Sequence, residues 1–372
     1  MKKEVISERQ GIVLIILFII GSSMLLGTGV QAKQDAWIAV IIAIIPATLI
    51  FLMFSRILSL YPGKDLFDIL IVVFGKYLGK LLSIPFIWFA FHLGTIVIRN
   101  FSEFTDIAVF PDTPVVVILV FFIILCIWGV KAGIEVLGRW SEFFVIIVIS
   151  LILFITILGI TQMDIERIKP ILSNGFVPVF KGVFGAFSFP FGEVVVFIMV
   201  FSNITKNSNY NKIFLMGLVI GGSLVIISVL RNLLILGVND LESVYFPSNV
   251  SAGVIHIGEL LQRMELIVTI NFIVGVFVKV TICLLAVCKG ITKFFNFDDY
   301  RFVVAPVTFL MFGFSIFIYG STMGMMDWAF KIWPYYSMFF ELILPFFVFI
   351  VVEIKNGKVK KIEKIALTQT KE

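Results

Sequence analysis

Ten long apolar runs dominate this chain and leave few ways for it to fold. They fall at Gly11–Val30, Trp37–Phe54, Leu81–Ile98, Pro114–Val130 and Phe143–Ile160, then at Phe176–Phe201, Ile213–Leu236, Leu266–Val287, Phe302–Ile318 and Ile332–Val352. A helix needs about 20 apolar residues to cross the hydrocarbon of a bilayer. The runs are continuous and show no alternating period, which selects helices over a β-barrel. Soluble domains are roughly half apolar and a quarter charged, whereas this chain is 60% hydrophobic and 14% charged. Its 372 residues accommodate about ten spans with short connections and no sizeable soluble domain. The expectation is an all-α integral membrane protein forming one transmembrane domain over 1–372.

Charge placement supports an even number of spans. With both termini cytoplasmic, inner ends, loops and tail carry 20 of the 29 basic residues, and the outer side carries seven. The other two, Arg231 and Lys279, fall inside spans. This is the positive-inside pattern. Trp37, Trp140, Trp328 and Trp333 lie near predicted helix ends, where interfacial anchors belong. The basic tail, 353–372, is placed against anionic headgroups.

Met1-Lys2-Lys3 ahead of an apolar run has the look of a secretory leader. Glu4, Glu8 and Arg9 intervene, however, and no small-residue cleavage site follows. Ser7 and Gln10 instead fit a capping box that opens the first span.

Several function classes find little support. A net charge of +5 is spread among loops and gathers on no nucleic-acid-binding surface. Cys126, Cys283 and Cys288 lie within apolar runs, and His92 and His256 are isolated, so no metal-type spacing exists. Phosphate-binding glycine loops, nucleophile elbows and paired catalytic carboxylates are lacking. No enzyme activity, cofactor or metal is expected.

The two halves echo each other. Tyr61-Pro62 precedes a short amphipathic stretch, Asp65–Lys80, before the third span; Phe246-Pro247 precedes another, Ser251–Gln262, before the eighth. Five spans separate the first from the sixth, so the second half is inverted relative to the first. An inverted repeat and a coincidence of two helix-breaking prolines both fit.

The first and sixth spans are interrupted at matching places. Gly21-Ser22-Ser23 through Gly27-Thr28-Gly29 breaks the first, and Gly185-Ala186-Phe187-Ser188-Phe189-Pro190-Phe191-Gly192-Glu193 breaks the sixth. Proline removes a backbone donor and glycine permits unwound dihedrals. Unwound backbone at membrane depth persists where it lines a cavity, and half-helix ends there hold carboxylate or ammonium groups. Gly21, Ser22, Ser23, Gly27, Gly185, Ser188 and Pro190 are therefore ligand-site candidates; kinked helices packed through small residues are the alternative.

Glu193 and Lys279 are the costly residues, because an ionisable side chain in mid-bilayer needs a partner or a role. Lys279 either pairs with Glu193 or meets a ligand carboxylate; a structural ion pair away from any ligand is the plainer reading. Cys283 lies one turn on from Lys279. On the third span Phe91, Thr95 and Arg99 recur at helical spacing, with Phe91 and Thr95 as a candidate apolar wall and hydroxyl. Snorkelling accounts for Arg99, and Arg231 and Asn271 are open to structural readings.

Along nearly its whole length the sequence resembles the spore-germination receptor B-subunit family, the GerAB-type membrane proteins. Carrying stretches are Tyr61-Pro62-Gly63-Lys64, Gly75-Lys76-Tyr77-Leu78-Gly79-Lys80, Ile168-Lys169-Pro170-Ile171-Leu172 with Gly175, the broken span Ser188 to Glu193, and Arg263-Met264-Glu265. The family usually has an acidic residue just before that arginine, where this chain has Gln262. The resemblance implies the fold of the amino acid–polyamine–organocation permeases, a LeuT-like five-plus-five inverted repeat. Repeat one spans about 7–160 and repeat two about 176–352. It implies a ligand pocket among the first, third, sixth and eighth spans. It also implies a membrane subunit of a nutrient germinant receptor in the spore inner membrane, beside A-type and C-type subunits. The ligand is then a small polar nutrient, an amino acid in class, and Lys279 suggests one with an extra acidic or polar group. An amino-acid permease of the same architecture is the competing reading, and a purely structural anchor for partners is a third.

Overall fold

The computed structural model describes residues 4–23, 26–202, 204–205, 208–255 and 263–369, with side chains to 357. Lys2, Lys3, Met24, Leu25, Lys206, His256, Gln262 and the tail lysines from Lys358 onward lie outside the residues or side chains described.

The chain is a bundle of helices, and among the described residues the only β-type pairing is an isolated bridge between Ile6 and Ile204. Among the described residues, eight helical stretches are long and apolar enough to cross a membrane: Val30–Leu60, Lys76–Val109, Val115–Ala132, Ile134–Gln162, Phe176–Val200, Tyr210–Ser243, Glu265–Phe295 and Thr322–Gly357. Two shorter helices, α1 (Glu8–Ser23) and Arg301–Phe317, cover the remaining apolar runs. The protein is a multi-pass membrane protein. Large apolar side chains such as Leu49, Phe121, Phe180, Leu310 and Phe317 project outward, as lipid-facing positions should.

Helix α1 opens on the capping box anticipated from Ser7 and Gln10. The Ser7 amide donates to Gln10 Oε1 at 2.9 Å and the Gln10 amide donates to Ser7 Oγ at 3.1 Å. Every residue from Val13 to Ser23 is buried, so α1 runs through the centre of the bundle. It packs against α9 (Tyr210–Ser243), α11 (Glu265–Phe295) and α6 (Ile134–Leu158). The α1–α11 crossing is backbone to backbone. A Cβ added at Gly275 would lie 2.5 Å from Gly21 Cα, so both glycines are required by proximity.

The amphipathic stretch after the second span is split. Helix α3 (Leu66–Phe74) is capped by Asp65, whose carboxylate accepts from the Asp68 amide at 3.1 Å, and it ends at Gly75 in the left-handed region (φ 83°). Helix α4 (Lys76–Phe104) then starts five residues before the apolar run at Leu81. Lys80 makes that extension possible, since its Nζ donates to Phe294 O at 2.6 Å and to Asn296 Oδ1 at 3.0 Å. Of the second amphipathic stretch, Ser251–Gln262, residues 251–255 are described, and the first three of them end helix α10 (Pro247–Gly253).

Both expected breaks are present. Helix α1 is described to Ser23, and residues 26–29, with Gly29 at φ 73°, are non-helical and lead into a 3₁₀ turn, Val30–Asp35, and helix α2 (Ala36–Leu60). The sixth span is helix α7 (Phe176–Ala186), a π turn at Phe187–Phe191 with Phe189 in extended conformation, a 3₁₀ turn at Gly192–Val195, and helix α8 (Val196–Val200). The last span is continuous but is wound locally as π-helix. Short helices α13 (Thr322–Asp327) and α14 (Trp333–Met338) are joined by a π turn at Trp328–Ile332, and a second π turn at Phe339–Ile343 leads into α15 (Leu344–Gln369).

Candidate ligand-binding site

Where the breaks meet, they line a small, partly open cavity of about 40 Å³. The first-span break supplies Ser22, Leu26, Gly27, Thr28, Gly29 and Gln31, and α4 supplies Leu93, Ile96, Val97 and Asn100. The sixth-span break adds Gly185, Phe189 and Glu193. The rest of the wall is Tyr319, Met325, Trp328, Ala329, Phe330 and Trp333, from the last span and the turn before it. None of the described lining comes from α11, the eighth span that the family resemblance includes in its pocket.

Among the described residues, six that line the cavity carry a buried polar atom without a hydrogen-bond partner: Ser22 Oγ, Gln31 Oε1, Asn100 Oδ1, Tyr319 OH, Trp328 Nε1 and Trp333 Nε1. Buried polar groups in proteins are nearly all paired, so an unpaired one calls for a water or ligand. Six around one space are better explained by what the space holds than by six separate defects.

The charged group on the lining is Glu193, which is 2% exposed. Its carboxylate is bonded to the Lys279 ammonium, which is fully buried. The Phe18 and Phe189 rings flank that ammonium at 5.1 and 5.0 Å, a cation–π contact strengthened by desolvation. Behind Gly192 sits a further buried acid, Glu341, whose Oε2 accepts from Ser337 Oγ at 3.1 Å while Oε1 has no partner.

Of the residues singled out from sequence, Ser22, Gly27, Gly185 and Glu193 come together on the cavity wall. The others lie outside the lining. Gly21 is at the α1–α11 crossing. Ser23 Oγ donates to Ile19 O at 2.5 Å, Thr95 Oγ1 to Phe91 O at 2.8 Å, and Ser188 Oγ to Gly185 O at 3.0 Å. Phe91 faces an outer apolar groove with Ile84, Ile87 and Trp88. Pro190 is buried at the sixth-span kink, and Cys283 is buried on α11 facing Gly94. Lys279 stands one layer behind the cavity, engaged by Glu193.

Gln31, Asn100, Tyr319, Trp328, Trp333 and Glu341 were not singled out as site residues. Trp328 and Trp333, expected as interfacial anchors, are drawn inward by the π turn between them; Trp333 is 4% exposed and stacks on Phe89 at 5.9 Å. Polar residues near the ends of apolar runs read as interfacial, and only the three-dimensional packing brings Gln31, Asn100, Trp328 and Trp333 to one wall.

The end of the bundle carrying the N-terminus is held by charge. Glu4 accepts from Arg301, from Tyr300 OH at 2.9 Å and from the Ile134 amide at 3.1 Å. Glu8 accepts from the Asn209 amide at 3.1 Å and pairs with Lys212 at 2.8 Å. The Lys212 bond holds the Glu8 carboxyl below its ordinary range, with the Asn209 amide adding to it. Asp65 is displaced the opposite way, because burial disfavours its charge. A cleft of about 630 Å³ opens among Glu4, Asp65, Asp68, Lys289, Lys293 and Arg301.

Comparison with known proteins gives one family. Residues 5–322 match the family described as spore germination protein. The chain is 30% identical to spore germination protein KB of Bacillus subtilis (strain 168), over 97% of this chain and 98% of that protein. It is 22% identical to the putative spore germination protein YfkT of the same organism, over 87% and 89% of the two chains. With spore germination protein GerQB of Bacillus cereus the identity is 29% over 47% of this chain and 49% of the relative.

Proposed function

Because this chain belongs to the spore germination protein family, we propose that it is the membrane subunit of a nutrient germinant receptor. It binds a small polar nutrient, an amino acid in class, in the cavity between the helix breaks and passes occupancy to A-type and C-type partner subunits. It lies in the spore inner membrane with both termini cytoplasmic, and its spans form a five-plus-five inverted repeat. The observation that carries this reading is the set of six unpartnered polar atoms around one cavity at the breaks of the first and sixth spans.

At about 40 Å³ the cavity holds about one or two waters. Nutrient entry therefore widens it, and that movement is the signal available to partners. Interrupted helices suit such a movement, because their halves shift without breaking a continuous hydrogen-bond ladder.

The same feature supports a second reading, an amino-acid permease whose site opens alternately to each side. Spores lacking the gene, exposed to a panel of amino acids, sugars and nucleosides, separate the two. Loss of dipicolinate release in response to one nutrient supports the receptor. Unchanged release, together with uptake by the purified protein in vesicles, supports the permease.

A further inference from the structure

The residues lining the cavity carry both unpartnered donors and unpartnered acceptors. Trp328 and Trp333 each present an indole N–H with no partner, while Gln31 Oε1 and Asn100 Oδ1 lie on the wall as unpartnered atoms. An indole nitrogen only donates, so an oxygen or nitrogen acceptor alone satisfies it. Two phenols lie close by: Tyr336 OH accepts from Trp88 Nε1 at 2.7 Å and lies 2.9 Å from His92 Nδ1, while Tyr319 OH, on the lining beside Trp328, is bonded to neither indole.

The two rings are held from behind. Trp333 stacks on Phe89 and meets Tyr336 at 5.7 Å, and Trp328 is flanked by His92 at 5.8 Å and Tyr336 at 5.9 Å. Their N–H groups are thus fixed before a ligand arrives, which limits the ordering cost of binding.

Charge sets the second requirement. The ionisable side chain on the lining, Glu193, is already balanced by Lys279. A ligand with net charge would enter this apolar enclosure without a counter-ion.

We infer that Trp328 and Trp333 are the specificity-determining donors of the cavity, binding the oxygen acceptors of a ligand with no net charge. Zwitterionic amino acids, sugars and nucleosides are in this class, and anionic or cationic nutrients are outside it. The inference rests on the ligand-binding reading above and narrows it, because Lys279 is unavailable to an extra acidic group.

The test is calorimetric titration of the purified full-length chain in lipid nanodiscs. L-alanine, D-glucose and adenosine serve as uncharged-overall probes, and L-glutamate and L-lysine as charged ones. At least one of the first three binds, and neither charged probe does. Losing one hydrogen bond weakens binding roughly 2- to 10-fold, so Trp328→Phe and Trp333→Phe each raise Kd by that factor. Trp140→Phe, on the exposed face of α6, leaves Kd unchanged. Thermal melting confirms that the variants fold; should one fail, the other carries the test. Binding of a charged probe in preference to the neutral ones, or wild-type Kd in both cavity variants, overturns the inference but leaves the ligand cavity standing. A folded wild-type protein that binds none of the five overturns both.

Discussion

The Lys279 ammonium, on α11, is bonded to the Glu193 carboxylate at the break of the sixth span, and the two residues are 0% and 2% exposed. This contact ties a continuous span to an interrupted one, next to the space that a ligand would fill. Removing one member of a buried pair strands the other charge, at a cost of roughly 3–5 kcal/mol. Lys279→Ala is expected to lower the melting temperature and membrane abundance sharply. The double variant Lys279→Met with Glu193→Gln leaves no charge behind and should recover part of the loss. A double variant that melts below Lys279→Ala would show that the pair contributes by more than charge balance.

The α1–α11 crossing gives a second expectation. A Cβ at Gly275 would meet the Gly21 backbone, which has no side chain to move aside, whereas one at Gly313 would meet nothing within 4 Å. Overpacking in a well-filled core costs roughly 1–3 kcal/mol. Gly275→Ala should therefore destabilise, and Gly313→Ala should not. Equal melting temperatures for the two variants would contradict the close approach.

These features differ in how far the sequence discloses them. Apolar run length marks the spans because the bilayer leaves no alternative to helix, and Ser7 and Gln10 mark a helix start because capping is local. The breaks at Gly21–Gly29 and Gly185–Glu193 are visible because glycine and proline act on their own backbone. Glu193 and Lys279 stand out because burying charge is costly, wherever the partner lies. Trp328 and Trp333 do not stand out, since a tryptophan near a span end looks the same whether it faces headgroups or a cavity. Pro334, just after their π turn, marks an irregularity in the helix, but nothing local says which way the two indoles then face. Gln31 and Asn100 are hidden for the same reason, whereas Glu341, an acid inside the Ile332–Val352 run, is legible by the same cost of buried charge as Glu193. Thr95, Ser23 and Ser188 illustrate the reverse: hydroxyls that look available in sequence are bonded to carbonyls of their own helices.

A pH dependence is expected at the N-terminal end of the bundle. The Glu8 carboxyl is held below its ordinary range by Lys212 and the Asn209 amide. A lowered folded pKa means that the unfolded chain binds the proton first, so this contribution is present above the ordinary carboxylate range and is lost as pH falls through the lowered value. Glu8 lies near solvent and its partner is mostly exposed, so the effect is modest and weakens with salt. Thermal melting from neutral to acidic pH should fall less steeply for Glu8→Gln than for the parent, and the difference should shrink in high salt. Identical slopes at low salt would mean that the pair contributes nothing to folding.

Glu4 makes the strongest demand on this end of the protein. One carboxylate accepts from Arg301, Tyr300 and the Ile134 amide, joining the chain ahead of α1 to the starts of α6 and α12 (Arg301–Phe317). A hydrogen bond to a charged group contributes roughly 1.5–3 kcal/mol, and the three share one acceptor group, so they fail together. Glu4→Ala is expected to free residues 4–7, raising their amide hydrogen exchange, while the exchange of buried α1 residues such as Leu17 changes little. The bonds are local to this end and the burial of α1 does not depend on them. If exchange rose equally along all of α1, Glu4 would be holding the whole helix in place; if it did not rise at residues 4–7, the three contacts would be energetically idle.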